Sequence, residues 1–253
     1  LDEGYPKVEA EYAALLEGMD KSLGDLMDYV KEKNIADNTI IIFMSDNGGL
    51  SLNPPRGGVA YKENAPLKSG KGSVYEGGIR EPMIAYWPGV TKAASVNQQY
   101  LGIQDFMPSI LEMAGVKEVK TLQKMDGISF VPYLKNNNLL DTNKVLVWHS
   151  PTTWQQGEKT VNGKNKTTTV DAQGFGPTSA IRKGNWKLIY FYGLNTSELY
   201  QLDKDISEEN NVIKKYPVKA KELMDLLNAN LKETDAQFPT ITTSGATIYP
   251  NLN

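Results

Sequence analysis

A short apolar run after a long amphipathic pattern constrains the fold of this 253-residue chain most strongly. Residues 39–44 read Thr-Ile-Ile-Ile-Phe-Met, a continuous β-branched and apolar segment. Such a run is typical of a strand buried on both faces, as in a parallel sheet covered by helices. Residues 9–33 place apolar side chains three and four positions apart, which predicts an amphipathic helix. Together the two segments indicate an α/β layer.

The later patterns predict a second architecture towards the C-terminus. Residues 82–87 read as another strand and 104–114 as a helix, after a Gly- and Pro-rich connection at 50–80. Beyond residue 138 the pattern changes to short strands, a polar loop and one helix, predicted at residues 145–148, 155–176, 179–182, 186–190, 199–202 and 217–231. We therefore expect an α/β fold in two parts. Residues 1–138 form part of a mostly parallel sheet flanked by helices, and residues 139–253 form a smaller α+β subdomain with an antiparallel sheet.

Composition excludes several classes of protein. Lys and Arg total 27 and Asp and Glu total 30, so the net charge of −3 argues against a broad nucleic-acid-binding surface. No apolar run has the length of a membrane-spanning helix. The chain contains no cysteine, which excludes disulfides and thiolate metal sites.

Polar residues end the first predicted strand and form a candidate metal site. Asp46 and Asn47 lie in the run Ser-Asp-Asn-Gly-Gly, residues 45–49. Their carboxylate and amide oxygens are hard donors of the kind that Ca²⁺ or Mg²⁺ binds. The same residues also suit a plain turn. Because Ca²⁺ takes about 6–8 oxygen ligands, a metal site here requires further donors from elsewhere.

A lysine among glycines forms a candidate anion site. Lys71 lies in Lys-Ser-Gly-Lys-Gly-Ser, residues 68–73, where glycines let the backbone approach an anion. Its ammonium group would supply a compact charge and up to three donors, although a solvated loop lysine is the alternative. The run lacks the earlier glycine and the preceding strand of a nucleotide-binding loop, so we reject that interpretation.

Two further segments contain candidate residues. His149, the only histidine, follows Trp148 at the end of a predicted strand. It could hydrogen-bond a sugar or a sulfate, or it could be a half-exposed histidine at a strand end. Residues 75–82, Tyr-Glu-Gly-Gly-Ile-Arg-Glu-Pro, are interpreted as structural, with Arg80 available to pair with a buried carboxylate.

Together these segments resemble the type I, formylglycine-dependent sulfatases of the alkaline phosphatase superfamily. The resemblance runs from about Tyr12 to the last predicted helix, and its most specific block is residues 45–82. It is carried by residues 41–48, 66–73, 75–82, 87–89, 148–149, 180–184 and 198–202. It implies an alkaline-phosphatase-like sheet and the C-terminal portion of a sulfuric ester hydrolase.

The resemblance also implies roles for individual residues. Asp46 and Asn47 would be calcium ligands, with Mg²⁺ as the alternative cation. Lys71 would be a catalytic and substrate-binding residue that contacts the sulfate group and stabilises its charge. His149 would contact the substrate, which is expected to be a sulfated small molecule or glycan. A periplasmic or secreted location is implied by the family alone.

One part of the family pattern is absent from this sequence. The formylglycine nucleophile is made from Cys or Ser in Cys/Ser-x-Pro-x-Arg, and neither form of the motif occurs here. We expect the nucleophile and the other acidic ligands in an N-terminal segment of the same protein, and a chain starting at Leu1 to be truncated or processed. Alone it should be inactive. The alternatives are a phosphatase or phosphodiesterase of the superfamily, and a non-catalytic protein that binds sulfated glycans.

Overall fold

The computed structural model describes residues 7–50, 64–152, 174–241 and 243–252. The predicted loop at 155–176 therefore lies mostly outside the described residues. The helices are α1 (Lys7–Glu32), α2 (Glu76–Ile79), α3 (Phe106–Met113), α4 (Val131–Lys135) and α5 (Pro217–Glu233). The strands are β1 (Ile41–Met44), β2 (Met83–Tyr86), β3 (Val145–Ser150), β4 (Thr178–Lys183), β5 (Trp186–Phe191) and β6 (Thr196–Gln201). Every strand and long helix predicted from the sequence is present.

The chain divides into two compact units. Within the described ranges, the first contains residues up to Phe43, Met83–Gln98 and Gln104–Leu139. The second contains Met44–Pro82, Gln99–Ile103 and Leu140–Asn253. The segment 44–82, which bears the candidate site, thus belongs to the same unit as the C-terminal sheet. The domain limits 1–138 and 139–253 stay a prediction.

Helix α1 ends one residue before the predicted limit of 33, and an asparagine follows in the turn that closes it. Asn34 adopts a left-handed conformation with φ of 57°, which a short polar side chain tolerates. The Ile35 amide then donates to the Val30 carbonyl over 3.2 Å, the closing bond of a Schellman motif. This arrangement satisfies a carbonyl group that the helix end would otherwise leave unpaired.

The apolar stripe of α1 is exposed. Leu15 and Leu26 are 70% and 50% exposed, whereas Val30 is buried. Strands β1 and β2 pair as a two-stranded sheet, and β1 is only partly buried, contrary to the expectation of burial on both faces. Among the described residues this sheet has no further strand to enlarge the layer. Apolar stripes of this width normally pack against another layer of structure.

The second unit is built on an antiparallel sheet of order β3-β4-β5-β6. The predicted hairpin is confirmed: β4 and β5 pair through Ile181 and Leu188, and Gly184 takes φ of 58° in the turn. One face of the sheet packs against α5 through an apolar cluster that includes Ile181, Leu188, Leu199, Leu223 and Leu227. The other face packs against residues 74–75 through Ala180, Ile189, Phe191 and Tyr200. The sheet is therefore covered on both sides.

Three buried charges lie beside the second face, and we call Glu76, Lys187 and Glu208 the buried ion cluster. The Lys187 Nζ atom is 2.9 Å from Glu76 Oε1 and 2.8 Å from Glu208 Oε1. Burial opposes ionisation of Glu76, but Lys187, Arg80 and Arg182 outweigh it and hold its pKa below the usual value. Arg80 Nε donates to Glu76 Oε2 over 2.7 Å, which confirms that Arg80 pairs with a buried carboxylate.

We expect Glu76→Gln to lower the free energy of unfolding by about 3 kcal/mol at pH 7, because it leaves buried cations unpaired. The lowered pKa means that the ionised carboxylate stabilises the fold above the pKa of the unfolded state. This contribution is lost as the pH falls through the lower, folded-state pKa. The difference in unfolding free energy between the variant and wild type should therefore shrink below about pH 4. Urea titrations at several pH values provide the measurement.

Glu222→Gln is the matched control for this prediction. Glu222 forms an exposed ion pair with Lys183, so the change should alter stability by less than about 1 kcal/mol. If the difference in unfolding free energy between Glu76→Gln and wild type stays constant from pH 7 to pH 3, the assigned role of Glu76 is contradicted.

Candidate functional site

The turn after β1 presents the two candidate metal ligands. The Ser45 hydroxyl donates to the Asn47 carbonyl over 2.8 Å, and Asn47 Nδ2 donates to the Gly48 carbonyl over 3.2 Å. The first bond uses the backbone carbonyl of Asn47 and the second uses its side-chain nitrogen, so its side-chain oxygen keeps its acceptor capacity. Asp46 is exposed beside it. The turn is thus shaped by local bonds that leave the expected donor oxygens available.

The Lys71 loop is bonded directly to this turn. The Lys71 amide donates to the Gly49 carbonyl over 2.9 Å. Asn64 joins the same two segments: its Nδ2 donates to the carbonyls of Gly49 and Ser69 over 2.8 and 3.0 Å, and its Oδ1 accepts from the Gly49 amide. The structure therefore places the backbone of Lys71 against the segment that follows Asp46 and Asn47. Sequence reasoning missed Asn64, since nothing in its local pattern distinguishes it.

Glycines allow the Lys71 loop to pack closely on α2. A Cβ atom on Gly77 would overlap the carbonyl oxygens of Lys68 and Ser69. A Cβ on Gly48 would overlap the carbonyl oxygen of Gly77. The Gly77 amide donates to the Lys68 carbonyl over 2.9 Å, and the Gly48 amide donates to the Gly78 carbonyl over 3.3 Å. Helix α2 is therefore the common support of the loop and the turn.

Glu81 is a second carboxylate near Asp46 that sequence reasoning did not select. Burial raises the pKa of Glu81 to about 7, and the negative charge of Asp46 adds to the effect. Its Oε1 atom is buried and has no hydrogen-bond partner in the described part of the chain. A buried, unpartnered oxygen beside another carboxylate is the kind of group that a bound cation would satisfy.

The donors at this turn fit a hard cation but do not complete its shell. Asp46, Asn47 and Glu81 offer carboxylate and amide oxygens, the ligand chemistry of Ca²⁺ and Mg²⁺. Across residues 7–50, 64–152, 174–241 and 243–252, no group of three or more His, Cys, Asp or Glu side chains could by itself hold a metal. A cation bound here would therefore need donors in addition to these carboxylates, such as amide and backbone carbonyl oxygens or water.

His149 is engaged in contacts of its own. Its Nε2 lies 2.6 Å from the Gln237 carbonyl and therefore carries the proton, while Nδ1 lies 2.7 Å from Ser179 Oγ. The rings of Tyr192 and Phe238 pack edge-on against it. None of these contacts is to the Lys71 loop. A substrate contact through His149 stays a prediction, and it would require one of these nitrogens to exchange its partner.

Comparisons with known proteins identify similar sequences and similar folds. A sulfatase family model matches residues 4–116, and the model "N-sulphoglucosamine sulphohydrolase, C-terminal" matches residues 70–164. A sulfatase of Formosa agariphila is 32% identical in an alignment of 225 positions that covers 83% of this chain and 36% of that protein.

Two solved structures are also similar. Ps i-CgsB in complex with k-i-k-neocarrahexaose has a TM-score of 0.70 and 26% identity, over 96% of this chain and 47% of that one. BT4656, in complex with its substrate D-glucosamine-2-N,6-O-disulfate, has a TM-score of 0.64 and 26% identity. That match covers 87% of this chain and 39% of BT4656.

The α/β fold is that of the alkaline phosphatase superfamily. Within this superfamily the chain belongs to the sulfatases and corresponds to their C-terminal portion. It spans less than half the length of these relatives. In the described part of the chain, no helix is both long and apolar enough to cross a membrane.

We expect Gly77→Ala to displace the Lys71 loop, because the added methyl group would overlap two carbonyl oxygens. Overpacking of this kind costs about 1–3 kcal/mol. Hydrogen exchange should accelerate at the Lys71 and Gly77 amides, whose bonds depend on this packing. Gly24→Ala is the control, since nothing lies within 4 Å of its added Cβ. Equal exchange rates in wild type and Gly77→Ala would contradict the supporting role of α2.

Proposed function

We propose that this chain forms the cation- and sulfate-binding side of the active site of a sulfuric ester hydrolase. The observation that carries the proposal is the bond between the Lys71 amide and the Gly49 carbonyl, two residues after Asn47. It joins a cationic loop to a turn rich in oxygen donors. The Lys71 ammonium and a metal ion bound at the turn would together supply two positive charges that hold a sulfate group between them.

Each residue has a distinct part in the proposed chemistry. The half-buried Lys71 ammonium binds a sulfate oxygen and stabilises the charge that grows there during cleavage of the S–O ester bond. Asp46 and Asn47 hold Ca²⁺, with Mg²⁺ as the alternative, and the buried Oε1 atom of Glu81 is a further oxygen donor near them. The bound cation supplies Lewis-acid polarisation of the sulfate.

The nucleophile belongs to another part of the proposed enzyme. By resemblance to the family it is a formylglycine, in an N-terminal segment of the same protein that also contains the remaining acidic ligands. The exposed stripe of α1, which includes Leu15 and Leu26, supports such a partner, because a large apolar surface on a folded domain normally marks an interface. We therefore propose that the 253-residue chain is inactive by itself.

The proposed substrate is a sulfated glycan. Two similar structures, BT4656 and Ps i-CgsB, are complexes with a sulfated glucosamine and a neocarrahexaose respectively. In this proposal His149 contacts the sugar after one of its ring nitrogens gives up its hydrogen bond to Ser179 or Gln237. The family also supports a periplasmic or secreted location, where sulfated polysaccharides would be encountered.

We expect Lys71→Ala in the complete enzyme to reduce kcat/KM for an aryl sulfate by about 10²–10³, since it removes a charge that acts mainly on the transition state. Lys214→Ala is the control, because Lys214 is an exposed lysine of the same unit. Initial rates over a range of substrate concentrations provide the measurement. The proposal fails if Lys71→Ala keeps wild-type kcat/KM, or if the enzyme prefers phosphate esters to sulfate esters.

We expect activity of the complete enzyme to be lost with a chelator and restored by Ca²⁺. Asp46→Ala should raise the Ca²⁺ concentration for half-maximal activity more than tenfold, because it removes a charged ligand. Direct calcium binding, followed by calorimetry, should weaken in parallel. Asp25→Ala, on the exposed side of α1, should change neither value. Calcium binding that is equal in Asp46→Ala and wild type would exclude Asp46 as a ligand.

A further inference from the structure

We propose that Glu208 is a positioning residue for Lys71. This inference rests on the proposed function of Lys71 in sulfate binding. Glu208 lies between β6 and α5 in the sequence, 137 positions after Lys71, and its side chain is fully buried. Its side-chain contacts are with Glu76 and Lys187, so we expect its effect on the reaction to pass through the segment that contains Lys71.

Glu208 holds that segment at two points. Its Oε2 atom accepts a hydrogen bond of 2.6 Å from the Glu76 amide, at the start of α2. Its backbone carbonyl accepts a hydrogen bond of 3.2 Å from Lys68 Nζ. Lys68 precedes Lys71 by three positions and Glu76 follows it by five. One residue of the C-terminal region therefore fixes both ends of the Lys71 loop.

The loop between these two points has little freedom to move independently. The Gly77 amide donates to the Lys68 carbonyl, and the Ser73 amide donates to the Gly70 carbonyl, each over 2.9 Å. The Lys68 ammonium also lies 3.9 Å from the centre of the Tyr75 ring, a cation–π contact. A shift at either point held by Glu208 would therefore move the backbone that carries Lys71.

Glu208 itself is held by its surroundings. Its backbone adopts φ of 51°, a left-handed conformation that is unfavourable for a glutamate. Such a conformation persists only where neighbouring contacts determine it. Lys187 Nζ supplies one contact, 2.8 Å from Glu208 Oε1, and the Glu208 amide supplies another by donating to the Asp205 carbonyl over 3.2 Å. The carboxylate thus forms an ion pair with Lys187 through one oxygen and accepts the Glu76 amide hydrogen bond with the other.

Glu208→Gln tests this arrangement with almost no change in volume. A carboxylate offers acceptors on both oxygens, whereas an amide offers one acceptor oxygen and one NH₂ donor. The glutamine must therefore point its NH₂ group at either the Lys187 ammonium or the Glu76 amide, and one of those donors loses its partner. The loop should then lose the fixed position that Lys71 needs.

The experiment is a double-mutant cycle on the complete enzyme, with Glu208→Gln, Lys71→Ala and the combined variant assayed on an aryl sulfate. We expect Glu208→Gln to lower kcat about tenfold when Lys71 is present, and less than twofold in the Lys71→Ala background, because residues that act through one another are not additive. Glu222→Gln, an exposed carboxylate on α5, should leave kcat within twofold of wild type.

The possible outcomes separate this inference from the proposed function. An equal loss of kcat from Glu208→Gln in both backgrounds would overturn the positioning role and leave the function of Lys71 intact. If Lys71→Ala keeps full activity, the proposed function fails and this inference fails with it. Should Glu208→Gln not fold, Lys68→Met takes its place in the cycle, because it removes the other bond to Glu208. We again expect a smaller loss of kcat in the Lys71→Ala background than in wild type. An equal loss in both backgrounds would overturn the positioning role.

Discussion

A lysine buried between two buried glutamates is the interaction on which the second unit depends. Lys187 on β5 pairs with Glu76 at the start of α2 and with Glu208 after β6, and all three side chains are inaccessible to solvent. These residues come from three segments that are distant in sequence. Because the Glu76 amide also donates to Glu208, the cluster fixes the backbone of α2 against the sheet. Helix α2 in turn supports both the turn after β1 and the loop with Lys71.

The two faces of the antiparallel sheet contribute in different ways. The face against α5 packs an apolar cluster whose burial favours folding. The opposite face ends in the buried ion cluster, where the cost of desolvating charges offsets much of their attraction. Such a cluster adds little net stability, but it is intolerant of rearrangement, since removing one partner leaves a buried charge unpaired at a cost of about 3–5 kcal/mol. Its main effect is therefore to select one position for the segment that precedes α2.

Sequence patterns predicted the parts of this structure that local chemistry determines. The strands and the turn at Asp46 and Asn47 follow from short runs of residues, and the proposal of an anion site at Lys71 rests on the same kind of local pattern. Glu208 and Asn64 could not be found in this way, because each acts on residues that are far away or in an irregular loop. The exposed stripe of α1 shows a different limit of sequence patterns. Its periodicity predicts the helix, but periodicity does not show which surface covers the stripe.

Sulfate-ester chemistry explains why a glycine-rich loop would need such distant support. Electrostatic stabilisation is effective only when the charge is held in place before the reaction, since moving it into position during the reaction costs energy. Glycines let the Lys71 backbone pass close to α2 and to Gly49, but they also make the loop intrinsically flexible. Local hydrogen bonds could close the loop without fixing it to the sheet. The bonds from Glu208 to both of its ends provide that attachment, so the C-terminal sheet is part of the proposed sulfate-binding apparatus rather than a separate appendage.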